Sequence, residues 1–196
     1  MPTPHPPSPP SPWVERFAPL VRSGGPVLDL ACGGGRHLRL FHRLGHPVVG
    51  LDRDLGGVAD LEGGMGVTLV QADLERADLE GAGPESGGSG GRGAPLPIDG
   101  RFAGIVVTNY LHRPLFTAIL AALEPGGVLI YETFADGNAR FGRPSSPAFL
   151  LRRGELLEAV RGTLQVVAFE QGEIAVPKPA VVQRICAVAG DDPLPI

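Results

Sequence analysis

Seven short apolar runs along the chain predict seven β-strands, because runs of this length that are rich in branched residues favour buried strands. They cover residues 27–31, 48–51, 67–70, 102–108, 128–131, 164–169 and 181–188. The segments between them carry apolar residues at helical spacing, at residues 13–21, 38–44, 55–62, 115–123 and 154–160. This alternation predicts an α/β fold with a mainly parallel sheet. Residues 171–180 are too few for a crossover helix, so the last two strands are expected to form an antiparallel hairpin.

The first strand leads into three consecutive glycines, Gly33, Gly34 and Gly35, where the backbone can take positive φ and a ligand can approach closely. A helical segment follows, and the second strand ends in Asp52. Strand, glycine turn, helix, strand and terminal acid form the half-unit that binds an adenosine-containing cofactor. In that unit the acid accepts hydrogen bonds from ribose hydroxyls, which is the role we expect for Asp52.

The spacing of the glycines argues against a dinucleotide, whose site needs the pattern Gly-x-Gly-x-x-Gly. Counting from Gly33 places Leu38 where the third glycine belongs, and counting from Ala31 places Arg36 there. Asp29, inside the first strand, would also repel a pyrophosphate, whereas it suits a cofactor with an ammonium group and a sulfonium. An NAD-dependent oxidoreductase is therefore the less favoured alternative. It also stays open that Asp29 only caps an ordinary strand–helix turn.

Asp29, Ala31, Gly33 and Gly35 form the pattern Asp-x-Ala-x-Gly-x-Gly, which is similar to the first motif of class I S-adenosylmethionine-dependent methyltransferases. Further segments, among them VVTNYLHRPLF and GGVLIYETFADGNARFGRPSSPAFLL, resemble small bacterial methyltransferase-domain or tellurite-resistance-like proteins. The resemblance implies a Rossmann-like, seven-stranded sheet in the order 3-2-1-4-5-7-6 with helices on both faces. The family usually has glycine at Ala31, and we expect the alanine to preserve cofactor binding, since a methyl group costs little if φ there is negative.

The resemblance also implies where S-adenosylmethionine binds. The implied contacts lie at the carboxyl ends of the strands: Ala31, Cys32, Gly33 and Gly35 for the amino-acid end, Asp52 for the ribose, and Asp73 for the adenine, with Arg53 and Leu74 beside the base. Asn109, after the fourth strand, is expected to contact the amino-acid moiety or the methyl acceptor. Arg16, on the first predicted helix, is expected to pair with the cofactor carboxylate, or else to be solvated.

Methyl transfer from a sulfonium is an in-line displacement, so the protein need only align the groups and remove a proton where the acceptor carries one. His112, three residues beyond Asn109, is the candidate base because histidine titrates near neutrality. The alternative is that His112 only orders a loop. Tyr110 is expected to shape the acceptor pocket.

The segment after the fifth strand, residues 132–147, is expected to form a lid over the acceptor. Phe134 supplies aromatic surface there, and Arg140 and Arg143 supply positive charge for an anionic group. The alternative is a structural loop with both arginines solvated. We expect a small polar or anionic acceptor, because the sequence after the fourth strand lacks the Asn/Asp-Pro-Pro-aromatic motif of base methylation.

Composition bounds the remaining possibilities. The 196 residues carry a net charge of -4, which offers no basic field for nucleic acid. Two cysteines, Cys32 and Cys186, provide neither a disulfide framework nor a zinc site, so no metal is expected. No apolar run is long enough to span a membrane. We expect a cytoplasmic enzyme, monomeric or homodimeric, and a non-catalytic cofactor-binding module is the alternative from another functional class.

The distribution of proline and glycine predicts the domain organisation. Residues 1–12 are rich in Pro and Ser and are expected to be a disordered tail, although Ser11 and Pro12 have the chemistry of an N-cap and a first-turn proline. Residues 13–196 are expected to form a single methyltransferase domain. Residues 81–100 interrupt it, and their Gly, Ser and Pro content predicts a flexible insert.

Overall fold

The computed structural model describes residues 8–75 and 95–190. Its strands are β1 (Val27–Leu30), β2 (Val48–Asp52), β3 (Val67–Gln71), β4 (Phe102–Thr108), β5 (Leu123–Phe134), β6 (Leu164–Ile174) and β7 (Ala180–Ala189). They form one sheet in the order β3-β2-β1-β4-β5-β7-β6. The first five strands pair in parallel, whereas β7 is antiparallel to β5 and β6. The predicted fold class, strand order and closing hairpin are confirmed.

The central strand β4 shows why the sheet is covered on both faces. All seven of its residues are buried, and its side chains alternate between two separate apolar clusters. From Ile105 to Val107 the alternation is regular: Ile105 and Val107 belong to one cluster, and Val106 belongs to the other. Successive strand residues point to opposite faces, so a continuous apolar run serves two cores at once.

In the described residues, four α-helices flank the sheet: α1 (Pro12–Phe17), α2 (Arg36–Arg43), α3 (Phe116–Ala121) and α4 (Glu155–Val160). α1 begins as its sequence predicts, with proline in the first turn and the Ser11 hydroxyl accepting a hydrogen bond from Trp13 N. Residues 55–62 form a 3-10 helix, Gly56–Leu61, in place of the expected α-helix. None of the helices described is long and apolar enough to cross a membrane.

β5 is longer than its apolar run, and this shortens the helix before it. The predicted helix over residues 115–123 ends at Ala121, because Leu123 pairs with Phe102 in the sheet. The register with β4 then shifts before Val128, and Gly126 takes φ +76° within this bulge. Glycine suits that conformation because it lacks a Cβ.

Described residues near two of the predicted domain boundaries pack against the folded domain. Ser11, assigned to a disordered tail, is buried and already belongs to the folded domain, while residues 1–7 lie outside the described residues. Of the predicted flexible insert, only residues 95–100 are described. Leu96 and Ile98 are partly buried against the core there, because both are apolar residues close to the start of β4.

Candidate functional site

A cavity of about 560 Å³ lies at the carboxyl ends of β1, β2, β3 and β4. Its wall consists of residues that end or directly follow these strands, the start of α2, and one residue from the chain before α1. These are Ser8, Ala31, Cys32, Gly33, Gly34, Arg36, Asp52, Arg53, Ala72, Asp73, Leu74, Glu75, Thr108, Asn109 and Tyr110. The cavity therefore lies where open parallel sheets bind their ligands.

The Asp52 carboxylate organises the turn after β1. Its Oδ2 accepts a hydrogen bond from Gly33 N at 2.8 Å, and its Oδ1 accepts one from Asp54 N at 3.0 Å. Each carboxylate oxygen has two lone-pair directions, so each can accept a second hydrogen bond from a ligand hydroxyl. The side chain is half-buried at the cavity wall.

The glycines of the turn have two different roles. Gly35 has φ +69°, and a Cβ there would lie only 2.4 Å from Val58 Cγ1, so this position requires glycine on both counts. Gly35 shapes the turn and does not line the cavity, contrary to the predicted cofactor contact. Gly33 and Gly34 are exposed at the wall, and a Cβ on either would meet nothing within 4 Å. A ligand can therefore approach their backbone closely.

Ala31 and Asn109 both have left-handed backbone conformations, with φ +56° and +55°. They follow the adjacent strands β1 and β4 and are the only non-glycine residues of the described chain with positive φ. The negative φ at which a methyl group would cost little is not found at Ala31. The turn into the glycines is left-handed there, which costs an alanine roughly 1–2 kcal/mol. Strained backbone concentrates at binding sites, where surrounding contacts hold it in place.

Asp29 is fully buried and does not line the cavity, contrary to the predicted contact with the cofactor. Its Oδ2 accepts a hydrogen bond from Leu38 N at 2.9 Å, in the first turn of α2. Burial raises the pKa of this carboxyl to about 7, only partly opposed by the Leu38 hydrogen bond and the charge of Arg36. The position favours the alternative in which Asp29 caps the turn.

Two residues of the α2 start, His37 and Arg36, belong to the site although the sequence interpretation passed over them. His37 is buried beneath the cavity wall and lies 3.4 Å from the hydroxyl of Thr108, which lines the cavity. Burial lowers the pKa of His37 to about 3, so the ring is neutral near neutrality. Arg36 lines the cavity directly. Their place immediately after the glycine turn was the signal available in the sequence.

Arg16 does not reach the cavity. Its guanidinium lies 3.5 Å from Glu170 on β6 and stacks 4.8 Å from the centre of the Phe17 ring. The side chain is 62% exposed, so the solvated alternative is the better description. The arginines that line the cavity are Arg36 and Arg53.

The far end of the cavity contains the residues expected around an adenine. Asp73, Leu74 and Arg53 all line it. Asp73 Oδ1 accepts a hydrogen bond from Glu75 N at 3.1 Å, which holds the carboxylate in place. Leu74 is buried and offers an apolar surface. The structure brings these predicted residues together with Asp52.

The predicted base and the predicted lid are not at the cavity wall. His112 precedes the 3-10 helix Arg113–Leu115 and does not line the cavity, whereas its neighbours Asn109 and Tyr110 do. Phe134, Arg140 and Arg143 are also absent from the wall.

The segment after β5 is held by hydrogen bonds to β7. Ala135 N donates to Val181 O at 2.9 Å, and Val181 N donates to the buried Asn138 Oδ1 at 3.1 Å. Arg140 forms an ion pair with Glu173 on β6, and Arg143 is exposed. These contacts favour the alternative of a structural loop. The sequence could not show it, because the partners come from a distant hairpin.

Comparisons with known proteins place this geometry in a family. The model of the methyltransferase domain family matches residues 7–161. No curated protein sequence matches the chain.

Solved structures share the fold. TehB from Haemophilus influenzae is similar with a TM-score of 0.66 at 17% identity; the match covers 90% of this chain, which spans only 61% of the TehB chain. The glycopeptide N-methyltransferase MtfA, complexed with S-adenosylhomocysteine, is similar with a TM-score of 0.58 at 21% identity, over 90% of this chain and 88% of MtfA. The 1,6-didemethyltoxoflavin-N1-methyltransferase of Burkholderia thailandensis is similar with a TM-score of 0.61 at 21% identity, and the match covers 91% of this chain and 76% of that chain.

The matched residues, 7–161, include all of the cavity wall described above. The predicted resemblance to methyltransferases is confirmed, and with it the enzyme class. The chain belongs to the methyltransferase domain family.

Proposed function

We propose that the cavity binds S-adenosylmethionine and that the chain transfers its methyl group to a small polar molecule. The observation that carries the proposal is Asp52, a carboxylate at the end of β2 that orders the glycine turn and also lines the cavity. The volume of about 560 Å³ lies in the range of roughly 300–1,000 Å³ usual for small-molecule sites. The open backbone of Gly33 and Gly34 supports a ligand in close contact with the turn.

In this proposal the ribose hydroxyls donate to Asp52 and the adenine lies between Leu74 and Arg53, with its amino group donating to Asp73. The amino-acid end lies against Gly33. Its carboxylate pairs with Arg36, because that guanidinium and the amino terminus of α2 both favour negative charge at this end of the cavity.

The acceptor is proposed to enter beside Asn109 and Tyr110, the wall residues that follow β4. A net charge of -4 supports a small molecule over a nucleic acid. The pairing of Arg140 with Glu173 removes the earlier reason to favour an anionic acceptor, so we propose a polar one. Two proteins of similar fold are a glycopeptide N-methyltransferase and a didemethyltoxoflavin methyltransferase, and this supports a small-molecule acceptor.

When bound, S-adenosylmethionine supplies a methyl group that its sulfonium has already activated. The chain contributes alignment, with Asn109 and Tyr110 holding the acceptor, and exclusion of water, with the buried Cys32 and Leu74 closing the wall. We assign no fixed general base, because His112 lies outside the wall. An acceptor that carries a proton would release it to solvent.

The binding part of the proposal is tested by calorimetry with S-adenosylhomocysteine. Asp52→Asn should weaken binding by about 1.5–3 kcal/mol, because the ligand's hydrogen bonds would no longer be made to a charged acceptor. Asp60→Asn is the matched control, since the Asp60 carboxylate pairs with Arg39 outside the cavity. Equal affinity for both variants and the native protein would remove Asp52 from the site. Turnover of S-adenosylmethionine with a panel of polar metabolites, compared with RNA and protein, tests the acceptor.

A further inference from the structure

Ser11 is only 4% exposed, and all of its polar groups are engaged. Its backbone N donates to His37 Nε2 at 3.1 Å, and its carbonyl accepts from Glu15 N at 2.9 Å. Its hydroxyl donates to Glu132 Oε1 at 3.0 Å and accepts from Trp13 N at 3.2 Å. Ser11 therefore does more than cap α1: it ties the preceding chain to α2 and to β5.

His37 connects this junction to the cavity wall. Because its Nε2 accepts from Ser11, its proton lies on Nδ1, which faces the Thr108 hydroxyl at 3.4 Å. Thr108 lines the cavity. The ring is 2% exposed and neutral near neutrality, so its Nε2 remains an acceptor under ordinary conditions.

The chain just before Ser11 runs along the cavity. Ser8 is exposed and lines it. Arg36, which also lines it, donates from Nη1 to Pro9 O at 3.4 Å. Residues 8–11 thus touch the wall at one end and are buried at the other.

We propose that residues 8–11 form a strap that retains the bound cofactor, and that His37 is the positioning residue that holds this strap in place. The inference rests on the proposed function, because it takes the cavity to bind S-adenosylmethionine. His37 itself lies beneath the wall and acts through Ser11. Loosening the strap should therefore mainly raise the rate at which the cofactor dissociates.

Substitutions at Ser11 test the hydrogen bond from Ser11 N to His37 Nε2. The Ser11 φ of -64° is the value that proline imposes, so Ser11→Pro can keep the backbone conformation, but it replaces the N–H that donates to His37 with a ring carbon that pushes the His37 ring aside. Ser11→Ala is the matched control, since both variants lose the hydroxyl but alanine keeps the N–H. Relative to Ser11→Ala, we expect Ser11→Pro to bind S-adenosylhomocysteine about tenfold more weakly, because a buried acceptor is left without its donor. The change should appear in the dissociation rate measured by stopped flow.

A second pair of variants separates the two bonds of His37. In His37→Gln the amide oxygen can reach the position of Nε2 and accept from Ser11 N, so the strap is retained. In His37→Asn the shorter amide can donate to Thr108 but leaves Ser11 N without an acceptor. We expect the dissociation rate to stay within about threefold of the native value for the glutamine variant and to rise about tenfold for the asparagine variant.

A purely structural role for His37 would lower the melting temperature of both His37 variants without separating their dissociation rates, and that result would overturn the inference. Equal dissociation rates for Ser11→Pro and Ser11→Ala would overturn it as well. Failure of the proposed function is distinguishable from both, because the native protein would then not bind S-adenosylhomocysteine at all.

Discussion

The cavity and the surroundings of the closing hairpin contain the same kinds of charged side chains, but these have different partners in the two regions. Arg184 on β7 donates to Glu170 on β6 at 2.6 Å and to Glu132 on β5 at 3.2 Å, and Arg140, which follows β5, pairs with Glu173 on β6. In the cavity the described hydrogen bonds of Asp52 and Asp73 come from backbone N–H groups.

Backbone donors orient a carboxylate without neutralising its charge, so an oriented acid still attracts a ligand donor. A guanidinium partner both orients and neutralises it. The carboxylates at the cavity wall are thus oriented with their charge retained. The hairpin carboxylates are neutralised by arginine, which suits a structural role.

The most strongly paired cation gives the largest expected effect. Arg113 donates to both oxygens of Glu155, whose side chain is only 6% exposed, and to the carbonyls of Ala148 and Leu150. Arg113→Ala should lower the free energy of unfolding by about 3 kcal/mol, because it leaves a buried carboxylate without its main partner. Urea denaturation measures this.

Arg161→Ala serves as the control for Arg113, because Arg161 pairs with the exposed Glu158 and should contribute little. S-adenosylhomocysteine affinity of the folded Arg113 variant should be unchanged, since Arg113 does not line the cavity. If Arg113→Ala kept its stability but no longer bound S-adenosylhomocysteine, the proposed difference between the two regions would be wrong.

The titration of Asp29 should change the free energy of unfolding with pH by a similar amount. Its native pKa of about 7 lies above the value of 3.8 for a free aspartate, so the native state holds the proton more tightly. The stability that this proton provides is complete below about pH 4 and is lost as the pH rises through 7. Asp29→Asn cannot titrate, so its stability relative to the native protein should rise by about 3 kcal/mol between pH 4.5 and pH 7.5.

Urea titrations of both proteins at the two pH values test this prediction. The opposite titration of His37, whose pKa is lowered to about 3, affects both proteins alike and cancels in the difference. A difference that does not vary with pH would mean that Asp29 is ionised in the native state.

The strained backbone beside the cavity should have a smaller effect. Ala31→Gly removes the strain of a left-handed alanine, which is roughly 1–2 kcal/mol. The extra conformational entropy of glycine stabilises the unfolded state by about 0.4–1 kcal/mol and opposes this gain. A net stabilisation of about 0.5 kcal/mol is expected by thermal unfolding. Ala72→Gly is the control at the same wall, without a positive φ, and should be destabilising. A destabilised Ala31→Gly would show that the methyl group makes a packing contact.

The smallest effect is expected for the exposed arginines of the hairpin side. Replacing Arg140 and Arg143 with alanine should change stability by less than about 0.5 kcal/mol, because Arg140 and Glu173 are both more than half exposed. Turnover should also be unchanged once an acceptor is known. A rise in KM for the acceptor, with cofactor affinity intact, would instead support the lid that the sequence suggested.

Local patterns predicted the sheet and the centre of the cavity. The seven apolar runs, the glycine turn and Asp52 each depend on residues close together in the chain, and the strand ends collect them at one edge. The sequence predicted that Ala31 lies at the site. It could not predict the left-handed backbone there, because φ depends on how β1 leads into the turn. The pairing of Arg16 with Glu170 could not be predicted, since it joins residues more than 150 positions apart.

The junction at Ser11 also gives the protein its own optical reporter. Trp13 is the chain's single tryptophan, it is 2% exposed, and its indole N–H donates to Ile185 O at 3.3 Å. The guanidinium of Arg184 lies 4.9 Å from the centre of its ring. Because Trp13 N also donates to the Ser11 hydroxyl, any displacement there changes the surroundings of the only indole. Intrinsic fluorescence therefore reports on this corner of the fold without labelling.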